Sequence, residues 1–274
     1  MYYGALAGVE QSKQAAAAGG PWPTQQPDLA FWLDPETHST LDVNQITSFV
    51  EGSSNSFTFT QTNSANKLDM IDNAFGTAKG MKAGNSGSDH MDGPNGILNG
   101  AFGHSTDPGM TWFIRTKVRS GLFPGNQDYI GLTTRLYSSS SNRGCGFFYQ
   151  SDEFFRFMWF SSALSTINPS ALHPTNGSGK LLSGDDITAV AQVYQLGSNV
   201  VVRVKIKDGA WSTSTFADTL SISNDQLSRF MIRVDDNAAT NGDDWTIGGQ
   251  SVFFKKMSDS EITEGLDYYA GIGS

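Results

Sequence analysis

The chain has 274 residues, a formal net charge of −9 and 38% hydrophobic residues. That apolar share supports a packed core and excludes a disordered chain, and the acidic balance argues against non-specific binding to nucleic acid. A single cysteine, Cys145, excludes an intrachain disulfide, and no apolar run reaches the roughly 18 residues of a membrane span.

Residues 1–27 differ from the rest. The stretch "MYYGALAGVEQSKQAAAAGG" has no basic n-region, and Glu10 and Lys13 interrupt its apolar run. It does not read as a signal peptide, so synthesis in a cytoplasm without export is expected. A short helix is expected over Leu6–Ala18, stopped by Gly19, Gly20 and Pro21. Its few large side chains, Tyr2, Tyr3, Leu6, Val9 and Trp22, cannot build a core. They are the expected assembly contacts of an N-terminal anchoring arm that orders on a preformed surface.

From Asp28 to Ser274 the pattern is strand, turn, strand. "LAFWLD" is a short apolar strand and "FTFTQT" alternates with period two. In "MTWFIRTKVRS", Ile114, Thr116 and Val118 face one way and Arg115, Lys117 and Arg119 the other. "YIGLTTRLY", "GCGFFYQ" and "FFRFMWF" follow. "ITAVAQVYQLGSNVVVRVKIKDG" reads as a hairpin turning at Gly197-Ser198-Asn199, its second arm carrying Arg203, Lys205 and Lys207 on one face. "RFMIRV" and "WTIGGQSVFFKK" complete the strands. Two helical turns are expected, near "ANKLDMIDNAF" and "SNDQLSRF". Only six of the 27 acids are Glu; the Asp residues gather beside Gly, Asn and Ser, as turns require. Many short strands with such turns predict an all-β, two-sheet antiparallel sandwich of jelly-roll type.

The chain closes on one helix. Ser258 and Glu261 form a capping box, and Met257 and Ile262 a hydrophobic staple. Ile262, Leu266, Tyr269 and Ala270 make an apolar stripe, Gly265 costs about 1 kcal/mol against Ala, and Gly271 is placed as the stop. The stripe is expected to cover an open end or edge of the sandwich and protect an edge strand.

At this point "FWLDPETHSTLD", "WTIGG" and "MSDSEITEGLDYYAG" resemble the opening, last core strand and closing segment of laminin G-like domains in the concanavalin A-like superfamily. The resemblance covers residues 28–274 and implies a two-sheet jelly roll. It leaves function open, because the superfamily includes glycan-binding domains, protein-binding domains, glycanases and virion components.

Three candidate sites follow. Calcium takes clustered oxygens on flexible loops, and "RVDDNAATNGDDWTIGG" offers Asp235, Asp236, Asn237, Asn241, Asp243 and Asp244; loop-rim calcium is also what the resemblance implies. The alternative is an Asx-rich loop capping its own backbone. Arg115, Lys117, Arg119, Arg203, Lys205 and Lys207 make one basic patch if their strands share a sheet, suited to an anionic glycan or acidic protein; the alternative is a solvated outer face. Trp211, in a loop, is the expected exposed aromatic for a sugar face, while Cys145 is expected in the core. "SDHMDGPNG" gathers Asp89, His90 and Asp92, but as a turn. Glycoside hydrolysis needs two opposed carboxyls, and only Glu153, beside Asp152, is strand-associated. No catalytic residue and no obligatory cofactor are therefore expected.

The resulting expectation is a non-enzymatic bacteriophage virion structural protein, capsid-decorating or tail-associated. Its arm would dock on other virion proteins, in a homo-oligomer or larger assembly, with neither nucleic acid nor membrane as partner. The alternative is a carbohydrate-binding lectin or adhesin for host-surface glycan, and after it a glycanase.

Overall fold

Alternating side chains give each strand an inner and an outer face, and antiparallel pairing then builds the sheet. The computed structural model describes residues 20–82, 90–98, 101–102, 104–118, 128–136, 144–149, 152–160, 166–167, 169–220, 226–231 and 245–274. The helix expected over Leu6–Ala18 lies outside them, as do Tyr2, Tyr3, Leu6 and Val9. In chain order the strands are β1 (Leu29–Leu33), β2 (Ser39–Asp42), β3 (Gln45–Val50), β4 (Thr58–Thr60), β5 (Asp69–Phe75), β6 (Ala78–Lys82), β7 (His90–Asp92), β8 (Gly109–Val118), β9 (Asp128–Leu136), β10 (Gly144–Tyr149), β11 (Phe155–Phe160), β12 (Thr166–Ile167), β13 (Ser170–Ala171), β14 (Asp186–Leu196), β15 (Asn199–Ile206), β16 (Ser212–Ala217), β17 (Gln226–Met231) and β18 (Trp245–Phe253). A single-turn helix α1 (Pro35–His38) follows β1, and α2 (Asp259–Gly271) closes the chain.

One layer runs β16-β15-β14-β8-β18-β1, all antiparallel. The opposite layer runs β4-β7-β17-β9-β10-β11. β6 pairs with the end of β18 and continues through β5 and β3 to β4, so one antiparallel sheet curls over into a near-closed sandwich. The all-β class and the closing helix follow the sequence expectation. Between the layers Trp112 meets Phe157 edge-on at 5.3 Å, and Trp245 meets Tyr149 at 5.4 Å. Cys145 is buried in the same core, and burial pushes its thiol well above its usual range. A polar tie crosses this core, where Gln250 Oε1 accepts the Leu132 amide at 2.7 Å.

The hairpin turns where expected, with Leu196 opposite Asn199 and Gly197 in the left-handed region at φ +60°. The two expected helical turns do not form as read. Ser64–Asn66 is a 3-10 turn, but Asp69–Phe75 is a strand interrupted by a register shift, with Asn73 at φ 54°. Gln226–Met231 is also a strand, between β9 and β7. In both cases ladder partners override a helix-like spacing.

The closing helix lies on a sheet face, not on an end or edge. Phe113 of β8, Val190 of β14 and Phe253 of β18 point outward from the middle of the layer, and with Met257, Ile262, Leu266 and Tyr269 they form a second buried cluster. Three large side chains on an outer face need a cover, and α2 supplies it. Its start is the expected capping box: the Ser258 amide donates to Glu261 Oε2 at 2.7 Å and Ser258 Oγ accepts from the Glu261 amide. Burial pushes the Glu261 carboxyl up, but hydrogen bonds from Lys255 and Ser258 outweigh it and hold it below the usual glutamate range.

Gly265 is a notch and not merely a cost. A Cβ there would lie 2.6 Å from the Phe113 ring and 2.7 Å from the Trp22 ring. Gly265→Ala is therefore expected to lose about 1–3 kcal/mol by overpacking, although helix propensity alone would favour it by about 1 kcal/mol. A thermal melt decides, since a raised Tm would mean the helix stands off the sheet. Gly271 is not the stop either; it is still helical, and the chain leaves through extended Ile272. The last turn carries no basic residue of its own. The reason is that β8 provides one, described below.

Trp22 starts a 3-10 turn, Trp22–Gln25. It packs edge-on against Phe113 at 5.5 Å and Phe253 at 5.6 Å, and Nε1 donates to Glu264 Oε2 at 3.4 Å. The packed body thus begins before Asp28 and includes this turn.

Candidate functional site

The basic side chains expected on β8 and β15 do share a layer, with β14 between them. Arg115, Arg203 and Lys207 each meet a partner that fixes the side chain's position. Arg115 is only 8% exposed. Its Nε and Nη2 grip Asp186 at 3.1 and 2.8 Å, while Nη1 donates to the carbonyls of Tyr269 at 3.0 Å, Ala270 at 3.1 Å and Ile272. This guanidinium is the C-terminal cap of α2: it bonds carbonyls where the helical ladder runs out and sits at the negative end of the helix dipole. Arg203 donates to Gln192 Oε1 at 2.9 and 2.6 Å, and Gln192 passes the tie to Thr111 and the Met257 carbonyl. Lys207 Nζ bonds Asp267 Oδ1 of α2 at 2.6 Å. Lys117 is half-buried on the same face by period two. Arg119 lies outside the described residues.

Trp211 is half-buried, not free. The Arg203 guanidinium sits 4.0 Å from its ring centre and the Lys205 ammonium 5.2 Å. The patch and the aromatic are therefore one stacked unit beside α2. At the end of α2 opens a cleft of about 270 Å³, lined by Arg115, Asp186, Thr188, Lys207, Asp208 and His173 among others, but not by Trp211. Its fixed charges oppose each other, with Arg115 and Lys207 against Asp186 and Asp208. Such a dipolar lining suits a hydroxylated neutral ligand better than a bare ion. His173 is held by Asp185 at 3.7 Å, and that carboxylate also accepts the Leu182 amide at 2.7 Å.

The other expected residues are placed apart from this cleft. Asp235, Asp236, Asn237, Asn241, Asp243 and Asp244, the calcium loop, lie outside the described residues, as does Asp89. Among the described residues no group of three or more His, Cys, Asp or Glu is arranged to hold a metal. Asp92 faces Arg229 at 2.8 Å and His90 at 3.5 Å. Glu153 sits in the turn before β11, with φ 69°, and bonds Lys180 at 2.9 Å; neighbouring Asp152 pairs with Arg156. Glu153 is thus a turn residue rather than a strand residue.

Sequence reasoning missed Glu51, which is 1% exposed. Oε2 accepts the amides of Trp32 at 3.0 Å and Ser53 at 2.8 Å, and Oε1 accepts Ser53 Oγ at 2.7 Å and the Phe57 amide at 3.0 Å. Beside it the Trp32 ring meets His38 edge-on at 4.6 Å, and burial keeps that imidazole below its ordinary pKa. A lone Glu in "VEGSSNS" gave no signal, because its partners are backbone amides.

No family model matches the chain, and no curated protein matches it in sequence. Solved structures do. The sialidase of Trypanosoma rangeli superposes with a TM-score of 0.56 at 12% identity, over 91% of this chain and 34% of that one. The binding domain of botulinum neurotoxin serotype D superposes with a TM-score of 0.57 at 12% identity, over 88% of this chain and 50% of that one. The chain thus spans between a third and a half of these proteins. At such identity the likeness is one of fold: a concanavalin A-like jelly-roll β architecture, joined to its neighbours by shape and not by sequence.

Proposed function

We propose that this chain is a non-enzymatic structural protein of a bacteriophage virion, capsid-decorating or tail-associated, docked through its N-terminal residues. Within the concanavalin A-like fold, the Trp32-Leu33-Asp34 opening and the α2 closure favour the laminin G-like branch. The observation that carries the reading is the joint at Trp22. A docking arm holds a domain in a set orientation only if the arm joins it rigidly, and Trp22 is locked between Phe113, Phe253 and the Gly265 notch. The chain at Gly20 is therefore held at a fixed point beside α2. The test is a chain starting at residue 20, which keeps Trp22. It is expected to melt as the parent does and to lose incorporation into particles, where the parent is found at a fixed copy number. Undiminished incorporation would overturn the reading.

A second reading is favoured by the cleft. A dipolar pocket of about 270 Å³ is of a size for one or two sugar rings, and one fold neighbour is solved in complex with sialic acid. Glycan-array binding that Asp208→Ala abolishes would support it. Release of reducing ends from a glycan, lost in Glu153→Gln, would instead support a glycanase.

A further inference from the structure

The two margins of the helix-covered layer are finished differently. On the β1 side, backbone groups of Ala30 and Trp32 are engaged by the segment that follows β3. The Trp32 amide donates to Glu51, the Trp32 carbonyl accepts the Gly52 amide at 2.7 Å, and the Ala30 carbonyl accepts Ser53 Oγ at 3.2 Å and Asn55 Nδ2 at 3.1 Å. A buried carboxylate is committed to closing that edge. On the β16 side nothing comparable exists among the described residues. β16 pairs with β15 alone, and no hydrogen bond among the described residues reaches its backbone from the other side.

Edge strands are normally guarded by charge, proline or a bulge. β16, "STSTFA", has none of these; its register with β15 is unbroken from Ser212 to Ala217. Thr213, Thr215 and Ala217 are exposed on one face, and Ser212, Ser214 and Phe216 are half-buried on the other, with Phe216 against the main core.

We propose that β16 is an association edge, which pairs antiparallel with β16 of a second copy of this chain. The side chains select the occupant. A foreign peptide gains specificity from pockets for its alternate side chains, and short hydroxyl residues offer none. A second copy fits instead. A two-fold axis normal to the sheet keeps each face in register, so Thr meets Thr or Ala, and Ser meets Ser or Phe, with no like charges opposed. Hydroxyl pairs of this kind stabilise a ladder. The strand is six residues long, or about 20 Å of edge, which makes a weak pair in solution that multiple copies on one assembly would reinforce. The inference stands apart from the particle reading, because it concerns the free chain.

The experiment is sedimentation velocity of the full chain across micromolar to millimolar concentrations. The parent is expected to show a reversible monomer–dimer equilibrium. Thr213→Lys with Thr215→Lys places like charges across the axis and is expected to weaken it about tenfold or more without moving the melt. Thr58→Lys on β4, also exposed but between two strands, is expected to leave it unchanged. Thr215→Cys is expected to give a covalent dimer with a short bismaleimide, since the native Cys145 is buried. A parent that stays monomeric throughout, or a dimer unmoved by the two lysines, would overturn the proposal.

Discussion

Replacing Arg115 with methionine is expected to cost the domain about 3–5 kcal/mol and to unfasten the closing helix. The side chain is almost fully buried, and each of its three nitrogens has an acceptor: Nε and Nη2 on Asp186, and Nη1 on three carbonyls at the end of α2. Methionine keeps the aliphatic stem over Phe75, where the guanidinium carbon now lies 4.8 Å from the ring centre, but removes every hydrogen bond. Asp186 is partly exposed and regains water. The carbonyls of Tyr269, Ala270 and Ile272 do not all regain it, and unpaired buried acceptors are the larger part of the cost. Arg115→Lys restores the charge but not the fork, since one ammonium cannot reach Asp186 and three carbonyls together, so it recovers only part of the loss. Urea denaturation measures the first effect and amide exchange across Ile262–Ala270 the second. A methionine variant within about half a kcal/mol of the parent would show that the helix holds by its apolar stripe alone.

That arrangement explains what the sequence could and could not convey. Local signals were legible. The Ser258–Glu261 box, the turn at Gly197 and the alternation in β8 each depend on residues a few places apart, and each formed where read. Placement was not. The same alternation that put Arg115, Arg203 and Lys207 on an outer face could not reveal that a helix from the far C-terminus lies on that face and takes up all three directly. Gly265 read as a propensity loss because its neighbours, Phe113 and Trp22, are more than 150 positions away in the chain. Trp22 read as part of an arm for the same reason. Of the candidate site, the basic row and Trp211 were visible, whereas Asp186 at the start of β14 and Asp208 and His173 in loops, which complete the cleft, meet there only through the topology.

Glu51→Gln is expected to be the second severe substitution, at about 3–5 kcal/mol, and to change how the protein associates. The carboxylate accepts from four donors: the amides of Trp32, Ser53 and Phe57, and Ser53 Oγ. An amide side chain retains one acceptor oxygen, which can serve one of these pairs. Its NH₂ then faces at least one backbone amide donor to donor, either Phe57 or both Trp32 and Ser53, in a buried place. Glu51→Ala removes the clash but leaves three amides without an acceptor, so it is expected to fare no better. The loop from Glu51 to Asn55 would come away from β1, and the groups of Ala30 and Trp32 that it engages would be exposed. The consequence for assembly follows from symmetry. With β16 as the one open margin of this layer among the described residues, association through it closes at a two-fold dimer. With β1 open as well, each copy has two dissimilar edges, and β16 of one can add to β1 of the next without end. The variant is therefore expected both to melt earlier and to pass from dimers to extended aggregates, measured by denaturation and by light scattering at matched concentration. If it melts as the parent and stops at dimers, Glu51 is not what closes that edge.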